Sequence, residues 1–280
     1  MKNILLILVG LALLPGVGHA RAYSWLASYD TSQTIEQRIS VPEGYVRTAV
    51  DSTGFAHWLR HLPLKAAGTP VLLHNGSHKT NQAAHVAVID IDRGSRDLQQ
   101  CADAVIRLRA EYLYGRGLYD SIVFNFTSGD PARYRDWIRG LRPRVRGNTV
   151  TWEQKAAVDS SYAGFRKYLD VVFTYAGTLS LRRELKPKTS LDDIVGGDVL
   201  IQGGSPGHAV LVVDVAVDTA DGQRVFLLVQ SYMPAQDIHV LKNPADVRLS
   251  PWYSTECGEV LPTPEWLFRP SDLKAFGTSR

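Results

Sequence analysis

The sequence contains few cysteines and methionines, with two of each among 280 residues. Cys101 and Cys257 leave room for one disulfide at most, which an oxidising compartment would favour. A large charge excess is also absent, because 31 lysines and arginines face 28 aspartates and glutamates. A nearly neutral chain lacks the basic footprint of a nucleic-acid-binding domain. We therefore expect no nucleic-acid partner.

Long apolar runs are absent after the N-terminus. Residues 4–14 are apolar, follow Lys2, and precede alanine-spaced sites at Ala20 and Ala22. This pattern predicts a secretory signal peptide over residues 1–22 and a mature, periplasmic or secreted protein over 23–280. No later stretch approaches 18 uncharged apolar residues, so we expect no membrane span.

Positive charge is concentrated in one place. Residues 133–147 hold six arginines and one aspartate. Such a segment suits an anionic surface such as lipid headgroups, but a solvated helix face and loop is the favoured interpretation.

The first part of the mature chain, about residues 23–150, predicts a strand–helix–strand unit. The strands are expected at 85–92 and 121–126. Between them, apolar residues at three- and four-residue spacing predict a helix over 97–114, with Asp97 as N-cap.

The second part, about residues 151–280, predicts a helix over 152–176 followed by an antiparallel meander. The tail after residue 250 is expected to wrap the surface. Together, the helix and strand patterns of the two parts predict a single α+β domain with helices packed on an antiparallel sheet. Three strand-like runs form the meander, at 197–201, 208–217 and 224–232, with a hairpin turn at Asp221-Gly222.

Three residues match the nucleophile, the base and the orienting residue of a cysteine hydrolase. Cys101 lies near the start of the 97–114 helix, where backbone N–H groups favour a thiolate. His208 opens a strand and is a candidate base, and Gln230 ends the neighbouring strand, where its amide could orient the imidazole. Each residue also has a structural interpretation. Cys101 would be an inert thiol of the core, His208 would hydrogen-bond the backbone of the glycine-rich turn, and Gln230 would only end its strand.

The segment GDVLIQGGSPGHAVLVVDV followed by FLLVQSY resembles the NlpC-like and CHAP amidases. The resemblance implies a papain-like fold and hydrolysis of an amide bond in the bacterial cell wall. In those families the nucleophile helix directly precedes the Gly-Asp strand. Here that place belongs to residues 160–177, which offer Ser160 and Ser161 but no cysteine. Either Cys101 reaches the site through a different topology, or the nucleophile has been lost.

The chain also resembles, over most of its length, a family of secreted bacterial proteins known as domain of unknown function 4846. The residues that carry this resemblance are LQQCADAVIRLRAEYLY, PGHAVLVVD, QSYMPAQDIHVL and TPEWLF. It implies little about activity.

The loop after Gln230 has a composition typical of glycan or peptide binding. Tyr232, Gln236 and His239 are therefore candidate substrate-binding residues, with an ordered surface loop as the alternative. The histidines of 74–85 lack the spacing of zinc ligands. We expect no metal and no cofactor.

Three hypotheses follow. The first is a papain-like cysteine hydrolase that uses Cys101, His208 and Gln230, with peptidoglycan as one candidate substrate. The second is a non-catalytic relative that binds cell-envelope glycan or peptide. The third is a structural envelope protein stabilised by a disulfide between Cys101 and Cys257.

Overall fold

A computed structural model describes residues 23–277 of the chain. The signal peptide predicted over 1–22 lies outside the described residues. Within the described range, the helices are α1 Ile35–Arg38, α2 Phe55–Arg60, α3 Cys101–Gly115, α4 Tyr134–Ile138, α5 Tyr162–Tyr175 and α6 Thr178–Glu184. None of the described helices is long and apolar enough to cross a membrane.

The strands fall into one large sheet and three two-stranded sheets. The large sheet contains β1 Tyr45–Arg47, β2 His85–Val88, β7 Lys186–Pro187, β8 Val199–Gln202, β9 His208–Asp218, β10 Arg224–Gln230, β11 His239–Leu241, β12 Tyr253–Ser254 and β15 Leu273–Ala275. The small sheets pair β3 Val123–Asn125 with β4 Pro131–Arg133, β5 Leu141–Arg146 with β6 Thr149–Gln154, and β13 Leu261–Pro262 with β14 Leu267–Phe268.

The large sheet runs in the order β2-β11-β10-β9-β8-β15-β7, while β1 also pairs with β9 and β12 with β10. The strand pairs of the large sheet are antiparallel. The predicted α+β architecture and the predicted meander β8–β9–β10 are confirmed.

The central strands are apolar because both faces of the sheet are covered. Along β9, Ala209, Leu211 and Val213 belong to the core beneath the helices. Val210 and Val212 belong to a second core on the opposite face, under the C-terminal tail. Side chains alternate across a strand, so a two-sided core requires an almost continuous apolar run.

A buried carboxylate attaches the N-terminal segment to β9. Asp214 lies where the β9–β10 register shifts, and its two oxygens bind Arg47 Nε at 2.7 Å and Arg60 Nε at 2.6 Å. Burial of a carboxylate is expensive unless it is paired, and two guanidinium groups meet that requirement here. Residues 23–60 therefore belong to the same core as the meander.

The predicted strand–helix–strand unit is wrong as a packed unit, because β2 and β3 lie in different sheets. The helix also starts later than predicted. Asp97 does not cap it but accepts the backbone N–H of Ala235 at 2.7 Å, and Gln100 is the N-cap. Cys101 is consequently the first residue of α3.

The predicted helix over 152–176 is correct only in its second half. Residues Thr149–Gln154 form β6, paired with β5, and α5 begins at Tyr162 after its N-cap Ser161. The arginine-rich segment accordingly contributes α4 and β5 rather than a helix face and a loop.

Candidate functional site

The site lies at the end of the sheet where α3 begins and β9 begins. Cys101 is the first residue of α3, is 7% exposed, and follows the N-cap Gln100. The first N–H groups of a helix have no intrahelical acceptor, so they are directed toward this position. Asp103 Oδ2 satisfies the N–H of Gln100 at 3.1 Å.

The Cys101 thiol is affected by opposing influences. Burial and the neighbouring Asp103 raise its pKa, whereas the backbone N–H groups of Cys101, Ala102 and Ala209 lower it, and the result is a pKa of about 11. The resting group is therefore a neutral thiol at pH 7. The influence of Ala209 places the sulfur next to the backbone that follows His208.

His208 is 1% exposed, and its ring is fixed by Gln230 on the adjacent strand. The His208 Nε2 to Gln230 Oε1 distance is 2.8 Å. Gln230 Nε2 in turn donates to Glu265 Oε2 at 2.8 Å, and Lys79 Nζ lies 2.7 Å from Glu265 Oε1. We call the side chains of Lys79, Glu265, Gln230, His239 and His208 the polar network.

The polar network determines which imidazole nitrogen of His208 carries the proton. Glu265, as a carboxylate paired with Lys79, only accepts hydrogen bonds, so it must face the NH₂ group of Gln230. The amide oxygen then faces His208, and Nε2 must be its donor. Because a neutral imidazole has one N–H, Nδ1 carries the lone pair. Within residues 23–277, Nδ1 of His208 makes no hydrogen bond.

His239 completes the hydrogen bonding of the same amide. Its Nδ1 lies 2.9 Å from the Asp237 carbonyl oxygen, so Nδ1 donates and Nε2 accepts. Gln230 Nε2 is 3.4 Å from that Nε2, which gives the second amide hydrogen a partner. Burial lowers the pKa of His239 to about 3, so this imidazole stays neutral. All polar atoms of the Gln230 side chain are thus satisfied.

Burial also lowers the pKa of His208 to about 4, with Gln230 raising it and Lys79 lowering it. Aromatic rings surround the imidazole, with centroid distances of 4.9 Å to Tyr232, 5.3 Å to Trp266 and 5.8 Å to Phe268. A neutral base in an apolar cage has the protonation state required to accept a proton.

Tyr232 is close to both the imidazole and the thiol. Its ring contacts His208, Lys79 Nζ lies 5.1 Å from its centroid, and its pKa is raised by burial, Glu265 and Cys101. No hydrogen bond joins Cys101 to His208 among the described residues. The structure thus places the two predicted residues at the same end of β9, with Tyr232 near both.

A cleft of about 420 Å³ opens beside Cys101. Its walls are the start of α3, the connection from α5 to α6, the glycine-rich loop 204–207, and Met233, which is 57% exposed. Asp103 also lines this cleft, and burial raises its pKa well above the usual value. His208 is not among the residues that line the cleft.

The glycine-rich loop is held close to α6. A Cβ on Gly207 would lie 2.5 Å from Thr178 Oγ1, 2.6 Å from the Gly204 oxygen and 2.8 Å from the Gln202 oxygen. Thr178 Oγ1 also donates to the Gly204 carbonyl at 3.2 Å. Only glycine fits at 207, and this close approach fixes the chain immediately before His208.

The structure buries part of the predicted substrate-binding loop. Tyr232 is partly exposed, but Gln236 is 1% and His239 0% exposed. The alternative of an ordered surface loop is therefore wrong for Gln236 and His239, because the segment after Gln230 turns inward and leads into β11. Their contact with a substrate stays a prediction.

Two alternatives weighed from the sequence are not realised. Ser161 caps α5, and the Ser160 carbonyl accepts the hydroxyl of Tyr114, which lies about 20 Å along α3 from Cys101 at 1.5 Å per residue. The serines are therefore at the opposite end of α3. The hypothesis of a disulfide between Cys101 and Cys257 is wrong, because both thiols are free.

Two of the histidines of 74–85 contact different groups. His85 Nε2 lies 3.3 Å from the Thr69 carbonyl, and His74 Nδ1 is 3.9 Å from Asp97. No group of three or more His, Cys, Asp or Glu side chains suited to a metal ion occurs within the part of the chain that the structure describes.

The comparison with protein families gives one match. The family described as Domain of unknown function (4846) matches residues 35–275. The chain belongs to this family. The matched range contains Cys101 and the whole polar network. No curated protein and no solved structure matches the chain.

Lys79 and Glu265 are not among the catalytic or substrate-binding residues predicted from the sequence, although their side chains are only 6% and 14% exposed. The available signal was a charged residue inside the TPEWLF segment, between apolar and aromatic neighbours. In such a setting a glutamate is usually paired.

Proposed function

We propose that this family member is a cysteine hydrolase of papain-like fold that cleaves an amide bond. Cys101 is the nucleophile, His208 the base and Gln230 the residue that orients His208. The observation that carries the proposal is the tautomer set by the polar network, which leaves Nδ1 of His208 as an unprotonated base at the end of β9 where Cys101 begins α3.

The protons and bonds balance as follows. The Cys101 sulfur attacks the carbonyl carbon while its proton passes to His208 Nδ1. The C–N bond then breaks, and the imidazolium returns that proton to the leaving nitrogen. Water, deprotonated by the same Nδ1, attacks the thioester, and the acid leaves as the thiol re-forms.

The resting protonation states suit a thiol that is activated during attack. A pKa of about 11 for Cys101 and about 4 for His208 favours the neutral pair over a thiolate–imidazolium pair. The start of α3 supplies N–H groups beside the sulfur, where the carbonyl oxygen becomes negative. A rearrangement that brings the Cys101 thiol to His208 Nδ1 is required, since the two side chains make no hydrogen bond at rest.

The substrate proposed is an amide of the cell envelope, with peptidoglycan as the first candidate, and the location proposed is periplasmic or secreted. The cleft beside Cys101 supports a substrate of peptide size, because it is open along the 204–207 loop and Met233. The apolar residues 4–14 support export.

The second candidate is a non-catalytic protein that binds cell-envelope glycan or peptide in the same cleft. Two observations favour it: the raised pKa of the Cys101 thiol, and the absence of His208 from the lining of the cleft. In this case the polar network is structural.

The test is turnover of purified peptidoglycan and of a mixed peptide-amide library, with new amines and acids detected by mass spectrometry. Cys101→Ala and His208→Ala should reduce turnover to the level without protein, while Cys257→Ala should not. Saturable binding without any product would reject the hydrolase and support the second candidate. Equal turnover by wild type and Cys101→Ala would reject Cys101 as the nucleophile.

A further inference from the structure

A second pocket, of about 170 Å³, lies between the loop before α3 and the face of α5. We call it the basic pocket. Four cationic side chains and one carboxylate line it, together with apolar and small residues. The charged members are Arg93, Arg96, Arg166, Lys167 and Asp170.

The acids near the basic pocket are already paired more closely with other cations. Asp92 Oδ2 binds Arg107 at 2.9 Å, whereas Arg166 lies 3.6 Å from Asp92 Oδ1. Asp237 binds Lys65 at 3.0 Å, whereas its distance to Arg93 is 3.4 Å. At both aspartates, the arginine of the pocket (Arg166 or Arg93) therefore makes the longer and weaker of the two ionic contacts.

The remaining two cations are also incompletely neutralised. Arg96 is 64% exposed and lies 3.8 Å from Asp170. Lys167 is exposed and takes part in none of the ion pairs found within residues 23–277. With four cations and one carboxylate, the lining therefore carries a surplus of positive charge.

Two buried donors without acceptors belong to the same lining. Gln99 is 1% exposed, and its Oε1 accepts from Arg107, which leaves Nε2 without a partner. Nη1 of Arg166 is likewise buried with no partner. A buried donor without an acceptor is unfavourable. Unpaired buried donors are expected at a site where a bound ligand supplies the missing acceptor.

We propose that the basic pocket binds the anionic group of a small ligand, a carboxylate or a phosphate. Arg166, Lys167 and Arg96 supply the positive charge, and Gln99 supplies an amide donor at the inner end. The volume suits one such group with a short attached chain. This inference does not depend on whether Cys101 is a nucleophile.

The basic pocket lies next to the cleft beside Cys101. Phe173 lines both this pocket and the cleft beside Cys101, and Gln99 and Gln100 are consecutive residues on the two sides. A ligand whose anionic end lies in the basic pocket therefore extends toward Cys101 across Phe173.

The test uses the protein without its first 22 residues, and inorganic phosphate and glutarate as separate probes, titrated by NMR at low salt. We expect saturable shifts at backbone amides of 94–99, weakened by added NaCl because the contacts are ionic. Tighter phosphate than glutarate binding assigns a phosphoryl ligand, and the reverse order assigns a carboxylate.

Variants identify the site. Lys167→Ala and Arg166→Met should weaken the tighter probe by about ten-fold or more, as expected for lost hydrogen bonds to a charged group. Arg248→Ala removes an arginine that is 90% exposed and should leave binding unchanged. Because Lys167 is exposed, its variant keeps the test valid even if Arg166→Met does not fold. The proposal would be overturned if neither probe saturates below about 10 mM, a concentration that corresponds to a binding free energy under 3 kcal/mol. Equal affinity of Lys167→Ala and Arg248→Ala for the tighter probe would overturn it as well.

Discussion

The pairing of Lys79 with Glu265 is the feature on which the orientation of Gln230 depends. Replacing Glu265 with leucine leaves the ammonium of Lys79 without its anion, in a site where the lysine side chain is only 6% exposed. Breaking a buried ion pair costs about 3–5 kcal/mol. The 14% exposure of Glu265 admits some water, so we expect about 3 kcal/mol, and about 1 kcal/mol more because Gln230 Nε2 loses one acceptor.

Removing both charges should cost less than the two single changes together. In Lys79→Met/Glu265→Leu no buried charge remains, so the expected loss is about 2 kcal/mol and the coupling energy exceeds about 2 kcal/mol. The measurement is urea unfolding at pH 7 of wild type, both single variants and the double variant, with comparison of slopes to confirm two-state behaviour.

An exposed pair of similar geometry is the control. Lys155 Nζ lies 2.8 Å from Glu153 Oε2, with side chains 52% and 34% exposed. Exposed pairs couple by about 0.2–1 kcal/mol. If the single costs at Lys79 and Glu265 add within about 0.5 kcal/mol, or couple no more than the exposed pair, the reasoning about the polar network is refuted.

Three further predictions concern the site. Alkylation of Cys101 by iodoacetamide should be slow at pH 6 and rise continuously to pH 10, because burial raises its pKa to about 11; a fast, pH-independent rate from pH 6 would instead show a thiolate–imidazolium pair. The pKa of His208 is lowered from 6.5 to about 4 in the folded protein, so between these pH values the folded protein binds fewer protons than the unfolded chain. The contribution of neutral His208 to the free energy of unfolding is therefore fully present above pH 6.5 and is lost as pH falls toward 4. The cost of His208→Gln should thus shrink by about 3 kcal/mol between pH 7 and 4 in urea unfolding, and a constant cost would contradict the lowered pKa. Gly207→Ala should lower the free energy of unfolding by about 1–3 kcal/mol through overpacking, whereas Gly177→Ala, where a Cβ meets nothing within 4 Å, should change it little; equal losses would refute the steric account.

The meander was predictable because its strands carry a local signal. Residues of β9 are apolar on both faces, and the Asp-Gly turn at 221–222 connects it to β10. The positions of His208 and Gln230 on adjacent strands follow directly from that pattern. The local sequence therefore sufficed for two members of the site.

Other features depend on contacts that no local pattern encodes. Asp97 is a good helix cap by composition, yet it is occupied by the Ala235 N–H, so α3 starts at Cys101. The residues of β6 alternate as a strand does, but their pairing with the arginine-rich β5 was needed to separate them from α5. Glu265 reaches Gln230 only because the tail folds back over the sheet.

The tail has a consequence for the order in which the molecule is completed. Synthesis proceeds from the N-terminus, so β9 and β10 are made before Glu265 and Trp266. Until β13 and β14 dock, the imidazole of His208 has no aromatic cover from residues 266–268, and Gln230 has no carboxylate to set its amide. A nascent or truncated chain ending before residue 265 consequently has the sheet residues of the site without the orientation that makes Nδ1 a base.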